Sequence, residues 1–220
     1  DRTRGWRRRR RVGGGGGVFE KVSGKAHAAS PTATMLCAQF HTSSAKGNAD
    51  PGPRCGHTLT CVPADGGGQR LIVFGGATAL EGDGPNGGAS GIRLAGATSD
   101  VHCFEVRSGN WSKVEATGEG PSPRAAHSAA AVGNMVVVQG GIGPAGLASE
   151  DLHVLDLQGT PRWHRVVVRG PGPGQRYAHV ISFVAQRFLV VHGGNDGNKP
   201  LGDSWCLDTT NKPYEWLKMS

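Results

Sequence analysis

The feature that most constrains this chain is that its last 170 or so residues repeat one pattern three times, which limits the fold to architectures built from like units. The first unit reads PGPRCGH (51–57), then LIVFGG (71–76), Asp100 and Trp111. The second reads PSPRAAH (121–127), then MVVVQGG (135–141), Asp151 and Trp163. The third reads PGQRYAH (173–179), then FLVVHGG (188–194), Asp203 and Trp216. Successive tryptophans lie 52 and 53 residues apart, and each Asp is followed five residues later by another acid: Glu105, Asp156 or Asp208.

Within each unit an apolar run ends at a Gly-Gly pair, a loop follows, and an Asp-led alternating stretch such as DLHVLDL leads to the tryptophan. The runs read as strands buried on both faces, and the Asp-led stretches as strands with two different faces. The Gly-Gly pairs Gly75-Gly76, Gly140-Gly141 and Gly193-Gly194 permit a sharp reversal and a close approach of neighbouring backbone. With 37 glycines in 220 residues and only 19% charged residues, long exposed helices and coiled coils do not fit. A period near fifty with short strands predicts an all-β chain. It would be an incomplete β-propeller of about three four-stranded blades, with repeats at about 51–120, 121–172 and 173–220.

Charge divides the chain differently. Residues 1–50 hold ten Lys/Arg and three Asp/Glu, whereas residues 51–220 hold fourteen of each. The first fifty, with five arginines at 7–11 and five glycines at 13–17, are expected to form a disordered basic tail. The same tail has the composition of an organelle transit peptide, with Met35 as an internal start, or of a nuclear-import run. The neutral remainder supplies no basic face, so nucleic-acid binding is not expected. No apolar run approaches the ~20 residues needed to span a bilayer. The five cysteines include no C-x-x-C pair and read as reduced thiols.

Several constellations imitate chemistry. The stretch 141–146 matches G-x-G-x-x-G but leads into a strand, whereas a dinucleotide phosphate needs a helix amino terminus. His57, His127 and His179, each three residues after Arg54, Arg124 or Arg176, mimic a three-histidine metal set. Equivalent positions on separate blades need not converge at the ~2 Å metal–nitrogen distance, so structural roles toward loop carbonyls or acids are expected. Asp100-x-His102 and Asp151-x-His153 again look metal-like, but Trp205 replaces the His in the third unit, which reads as packing. Trp111, Trp163 and Trp216 are expected between blades. The loop 77–99 holds 23 residues, against nine and eight in the other units, and Ile92-Arg93-Leu94 within it is the candidate partner-binding element.

Arg-x-x-His, Gly-Gly, an Asp-led strand and a late Trp together resemble kelch repeats over 51–220. GIRLAG (91–96), PSPRAAH (121–127), VVQGGIGPAG (137–146) and WHRVVV (163–168) resemble more narrowly the plant kelch-repeat serine/threonine phosphatases of the BSL type, from brassinosteroid signalling. That resemblance implies a kelch propeller ahead of a metallophosphatase domain with two metal ions, manganese or iron. It also implies phosphoprotein or kinase partners and a nuclear and cytoplasmic location. The phosphatase motifs GDxHG, GDxxDRG and GNHE do not occur here, so no catalytic residue, metal or cofactor is expected in this chain. Three repeats fall short of a closed ring, so truncation and self-association through open sheet edges are expected. The alternatives are a kelch adaptor or scaffold unrelated to a phosphatase, or a kelch enzyme. The enzyme reading is weakened by a tyrosine count of two, Tyr177 and Tyr214, and by the absence of E-x-x-x-D-x-x-x-H.

Overall fold

A computed structural model describes residues 49–78 and 96–220. Among them there is no α-helix, and a 3-10 turn occurs at Asp65–Gly67. The repeat is realised as sheets. The first unit contributes β1 (Arg54–Cys55), β2 (Thr58–Ala64), β3 (Gly68–Phe74), β4 (Ala77–Thr78), β5 (Val101–Glu105) and β6 (Asn110–Lys113). Strands β2, β3, β5 and β6 form an antiparallel sheet in that order, and β1 pairs with β4 beside it.

Next come β7 (Thr117–Gly118), β8 (Ser128–Val132), β9 (Met135–Gln139), β10 (Leu152–Asp156) and β11 (Arg162–Arg165). The third set is β12 (Val168–Arg169), β13 (Val180–Val184), β14 (Phe188–His192), β15 (Ser204–Asp208) and β16 (Tyr214–Met219). Both sets form five-stranded sheets, ordered β7-β11-β10-β9-β8 and β12-β16-β15-β14-β13. Each blade thus has the four expected antiparallel strands, and two of the three add a fifth. The extra strand is two residues long and parallel to the outermost strand, β7 on β11 and β12 on β16. It arises because the chain, leaving the outer edge of one sheet for the inner strand of the next, runs beside that next sheet's outer edge. There it satisfies otherwise unpaired backbone groups, as in Thr117 N–H to the Pro161 carbonyl at 3.0 Å.

The cores lie between sheets. Val62, Ile72, Phe74 and Val101 of the first sheet pack against Val136, Val138, Leu155 and Trp163 of the second. Ala130, Val137 and Leu152 on the other side of the second sheet pack against Ile181, Leu189, Val191, Leu207 and Trp216 of the third. Strand β9 explains the unbroken Val136-Val137-Val138 run: successive side chains point to opposite faces, and both faces are covered.

Candidate functional site

The repeated residues meet in a joint between adjacent sheets. Arg124 enters just before β8 with 1% of its surface exposed, a position an arginine occupies only when its donors are used. Its Nε donates to the Ser122 carbonyl at 3.0 Å and its Nη1 to the Gly140 carbonyl at 2.7 Å. The guanidinium also forms a fork on Asp151, Nη1 to Oδ1 at 2.5 Å and Nη2 to Oδ2 at 2.9 Å. Arg176, equally buried, repeats this on the Pro173 and Gly193 carbonyls (3.1 and 2.8 Å) and on Asp203 (3.0 and 3.2 Å). The Arg176 hydrogen bonds draw the Asp203 pKa down to about 2, with the Trp205 indole assisting. Burial opposes ionisation of Asp151, but the Arg124 bonds and charge outweigh it and the pKa is lowered. Arg54 is only part-buried; it bonds the Pro51 and Gly75 carbonyls but makes no hydrogen bond to Asp100.

The Gly-Gly pair makes the joint possible. Gly140 and Gly141 sit at φ of 66° and 100°, and a Cβ on Gly140 would stand 2.5 Å from the Arg176 carbonyl oxygen of the next unit. Gly75 is crowded in the same way by the Arg124 carbonyl, at 2.8 Å. That close approach allows the following glycine to donate across the sheets, Gly76 N–H to Arg124 at 2.8 Å and Gly141 N–H to Arg176 at 2.9 Å. Gly193 has no such crowding, with its nearest atom 3.5 Å from a built Cβ, and Gly194 N–H has no next-sheet partner among the described residues.

His127 packs edge-on against Phe74 of the preceding sheet, with ring centroids 4.9 Å apart, and its Nε2 lies 3.0 Å from Thr58 Oγ1. Burial, then the Arg124 charge, pushes its pKa down to about 3. Burial, then Arg176, pushes His179 down to about 4. Both rings are therefore neutral parts of the joint. His57 is exposed, although its Cβ lies under Gly76. Among the described residues no group of three His, Cys, Asp or Glu side chains could hold a metal ion.

Beyond the joints, the sheets leave grooves between them. One, about 680 Å³, lies between the second and third sheets, with Met135, Val137, Leu152, Leu189 and Leu207 in its walls. Two smaller ones, about 510 and 340 Å³, occupy equivalent places beside Asp151 and Trp216 and beside Asp100 and Trp163. Their repetition marks them as products of the blade geometry.

A family model described as the KLHDC2/KLHL20/DRC7 Kelch-repeats domain matches residues 14–220. The chain belongs to the kelch-repeat family. Serine/threonine-protein phosphatase BSL2 of Arabidopsis thaliana is 63% identical over 159 residues, covering 69% of this chain and 16% of that protein. Kelch domain-containing protein 1 of Mus musculus is 35% identical over 122 residues, 54% of this chain and 30% of that protein. Acyl-CoA-binding domain-containing protein 5 of Arabidopsis thaliana is 29% identical over 143 residues, 65% of this chain and 19% of that protein. This kelch chain thus spans less than a third of the length of each of these relatives. Kelch domains mediate protein–protein interaction, and the chain is a module of that kind.

The kelch blades place the remaining candidates unevenly. Trp163 and Trp216 are each 6% exposed and sit in the two inter-sheet cores. Trp111 does not: it is half-buried and packs on Phe104 of its own sheet, with centroids 5.0 Å apart. Its expected place between blades is corrected, because no described neighbouring sheet covers that face of β6. The reading of Trp205 as packing alone is also corrected. Its indole Nε1 donates to Asp203 Oδ2 at 2.6 Å, and at the same position in the second blade His153 Nδ1 stands 3.6 Å from Asp151 Oδ2. In the second and third blades the position turns a ring nitrogen toward the joint carboxylate, whereas in the first His102 Nδ1 lies 2.8 Å from the Ala49 carbonyl oxygen.

The glycine-rich stretch 141–146 forms a turn in which Ile142 bridges Ala125 and Ala148, and β10 follows it. Ile92, Arg93 and Leu94 lie outside the described residues, as does the basic stretch 1–48. The 680 Å³ groove is not signalled by the repeat itself. Its signal lies in the departures from the repeat, Met135 where the first unit has Arg70 and Val167 where it has Glu115.

Proposed function

We propose that this kelch chain is the protein-binding module of a serine/threonine phosphatase of the BSL kind, acting in hormone signalling in the nucleus and cytoplasm. Its task is recruitment: rigid blades present loops and grooves that hold a phosphoprotein while a catalytic domain elsewhere removes the phosphate. The observation that carries this reading is the 63% identity to BSL2 over 159 residues. The buried Arg124 and Arg176 support it physically, because each guanidinium ties the loops of its own blade together while its carbonyl takes a glycine amide of the preceding blade, which pre-organises what the loops present. A kelch adaptor without a phosphatase is the second reading, favoured by the 35% identity to Kelch domain-containing protein 1.

The test is competition. Excess chain added to a BSL2 reaction should occupy the protein substrate and slow its dephosphorylation, while turnover of p-nitrophenyl phosphate, which needs no recruitment, stays the same. Unchanged dephosphorylation of the protein substrate overturns the phosphatase reading in favour of the adaptor.

A further inference from the structure

The groove between the second and third sheets is where one inter-blade interface departs from the other. Between the first and second sheets Arg70 reaches across and donates from Nη2 to the Leu157 carbonyl at 3.0 Å, and Leu157 is buried. One unit later those two positions are Met135 and Thr209, and both line the open 680 Å³ groove. The lip changes in the same direction: exposed Glu115 of the first unit corresponds to Val167, which is 78% exposed. An exposed apolar lip over an apolar floor is a costly surface unless something covers it.

The groove is also one-signed. Arg165 on β11, Arg169 on β12 and Lys212 in the turn between β15 and β16 line it, and among the described residues no Asp or Glu does, although residues 51–220 carry equal numbers of each charge. The acids nearby do not spend these cations. Arg165 meets Glu119 at 3.7 Å, but both are more than half exposed, and such pairs contribute little. Glu215 lies opposite Arg169 in register without an ion pair, and the Lys212 ammonium rests 5.7 Å from the Tyr214 ring. Three cations on three separate elements match charges distributed along a chain better than a ligand with one anionic head.

We propose that this groove docks an acidic peptide segment of a partner protein, whose aliphatic or aromatic side chains enter beside Met135 and Val137 while flanking carboxylates meet Arg165, Arg169 and Lys212. The proposal rests on the protein-binding reading above and names the partner chemistry for one of its surfaces.

Fluorescence anisotropy on the whole 220-residue chain tests it, using a labelled peptide in which leucines alternate with glutamates and a control with lysines in place of the glutamates. The glutamate peptide should bind and the lysine peptide should not. Met135→Arg, which restores the residue that bridges the other interface, should weaken binding by at least about tenfold, as should Arg169→Glu combined with Lys212→Glu on the exposed rim. Near-UV circular dichroism identifies a variant that fails to fold, and the rim pair then decides. Equal binding of both peptides, or glutamate-peptide binding unchanged by the rim pair, overturns the proposal. So does saturable binding of dodecanoate by a chain that ignores the peptide, which reassigns the groove to a small anionic amphiphile. The BSL2 competition assay does not depend on these peptides, so the groove and the recruitment reading fail separately.

Discussion

The two inter-blade interfaces of this chain are built from the same repeat and finished differently. Both have a buried tryptophan, a neutral histidine and a glycine amide donating across the sheets. In the first, Arg70 closes the outer part of the seam onto the Leu157 carbonyl, and Phe74 meets Trp163 in a tilted ring contact with centroids 5.1 Å apart. In the second, Met135 and Thr209 leave the outer part open. The inner part of a blade interface therefore carries the fold, through backbone bonds that tolerate little substitution, while the outer part is free to vary and to bind.

The largest effect should come from the tryptophans. Trp163→Ala removes a side chain held between two sheets and should cost about 3–5 kcal/mol in denaturant unfolding. Trp216→Ala, equally buried and likewise beside a groove, should cost a similar amount. A loss below about 1 kcal/mol at Trp163 removes its core role and with it the asymmetry.

Glycine substitutions sharpen the contrast between a joint with a neighbouring sheet and one without. Gly140→Ala combines a positive φ with a built Cβ 2.5 Å from a backbone oxygen, and should destabilise by about 2–3 kcal/mol. Gly193→Ala has the backbone strain but no close contact, and should cost about 1 kcal/mol. Equal losses would mean that the next sheet does not press on Gly140.

Acid should act on both interfaces. His127 and His179 have folded pKa values of about 3 and about 4, below the ordinary histidine value, so below pH 6.5 the unfolded chain binds protons that the folded chain refuses. Stability is then full above that value and falls as pH drops toward 4, continuing toward 3 through His127. Protonation of Asp151 and Asp203, whose pKa values are lowered, extends the loss at the acid end. Urea midpoints between pH 7 and 4 measure this, and His127→Phe should reduce the slope. A flat profile contradicts the burial of neutral rings.

Much of this was legible in the sequence because it is periodic. The Val136-Val137-Val138 run announced a strand covered on both faces, and the Gly-Gly pairs marked where backbones approach. Strands β7 and β12 were not legible, since two residues such as Thr117 and Gly118 carry no pattern and are ordered only by the edge of a sheet distant in sequence. Trp111 misled because a repeat position fixes the residue type, whereas burial depends on what lies next to the sheet. The groove escaped because the consensus was read where the exceptions, Met135 and Val167, held the information.

Hydrogen exchange at three glycine amides tests the stacking of the blades most directly. Gly76 N–H and Gly141 N–H donate to the next sheet at 2.8 and 2.9 Å, while Gly194 N–H has no such partner among the described residues. The account predicts slow exchange at Gly76 and Gly141, near the rate set by global unfolding, and fast exchange at Gly194. Similar rates at all three would show that the sheets are not joined through the Gly-Gly pairs.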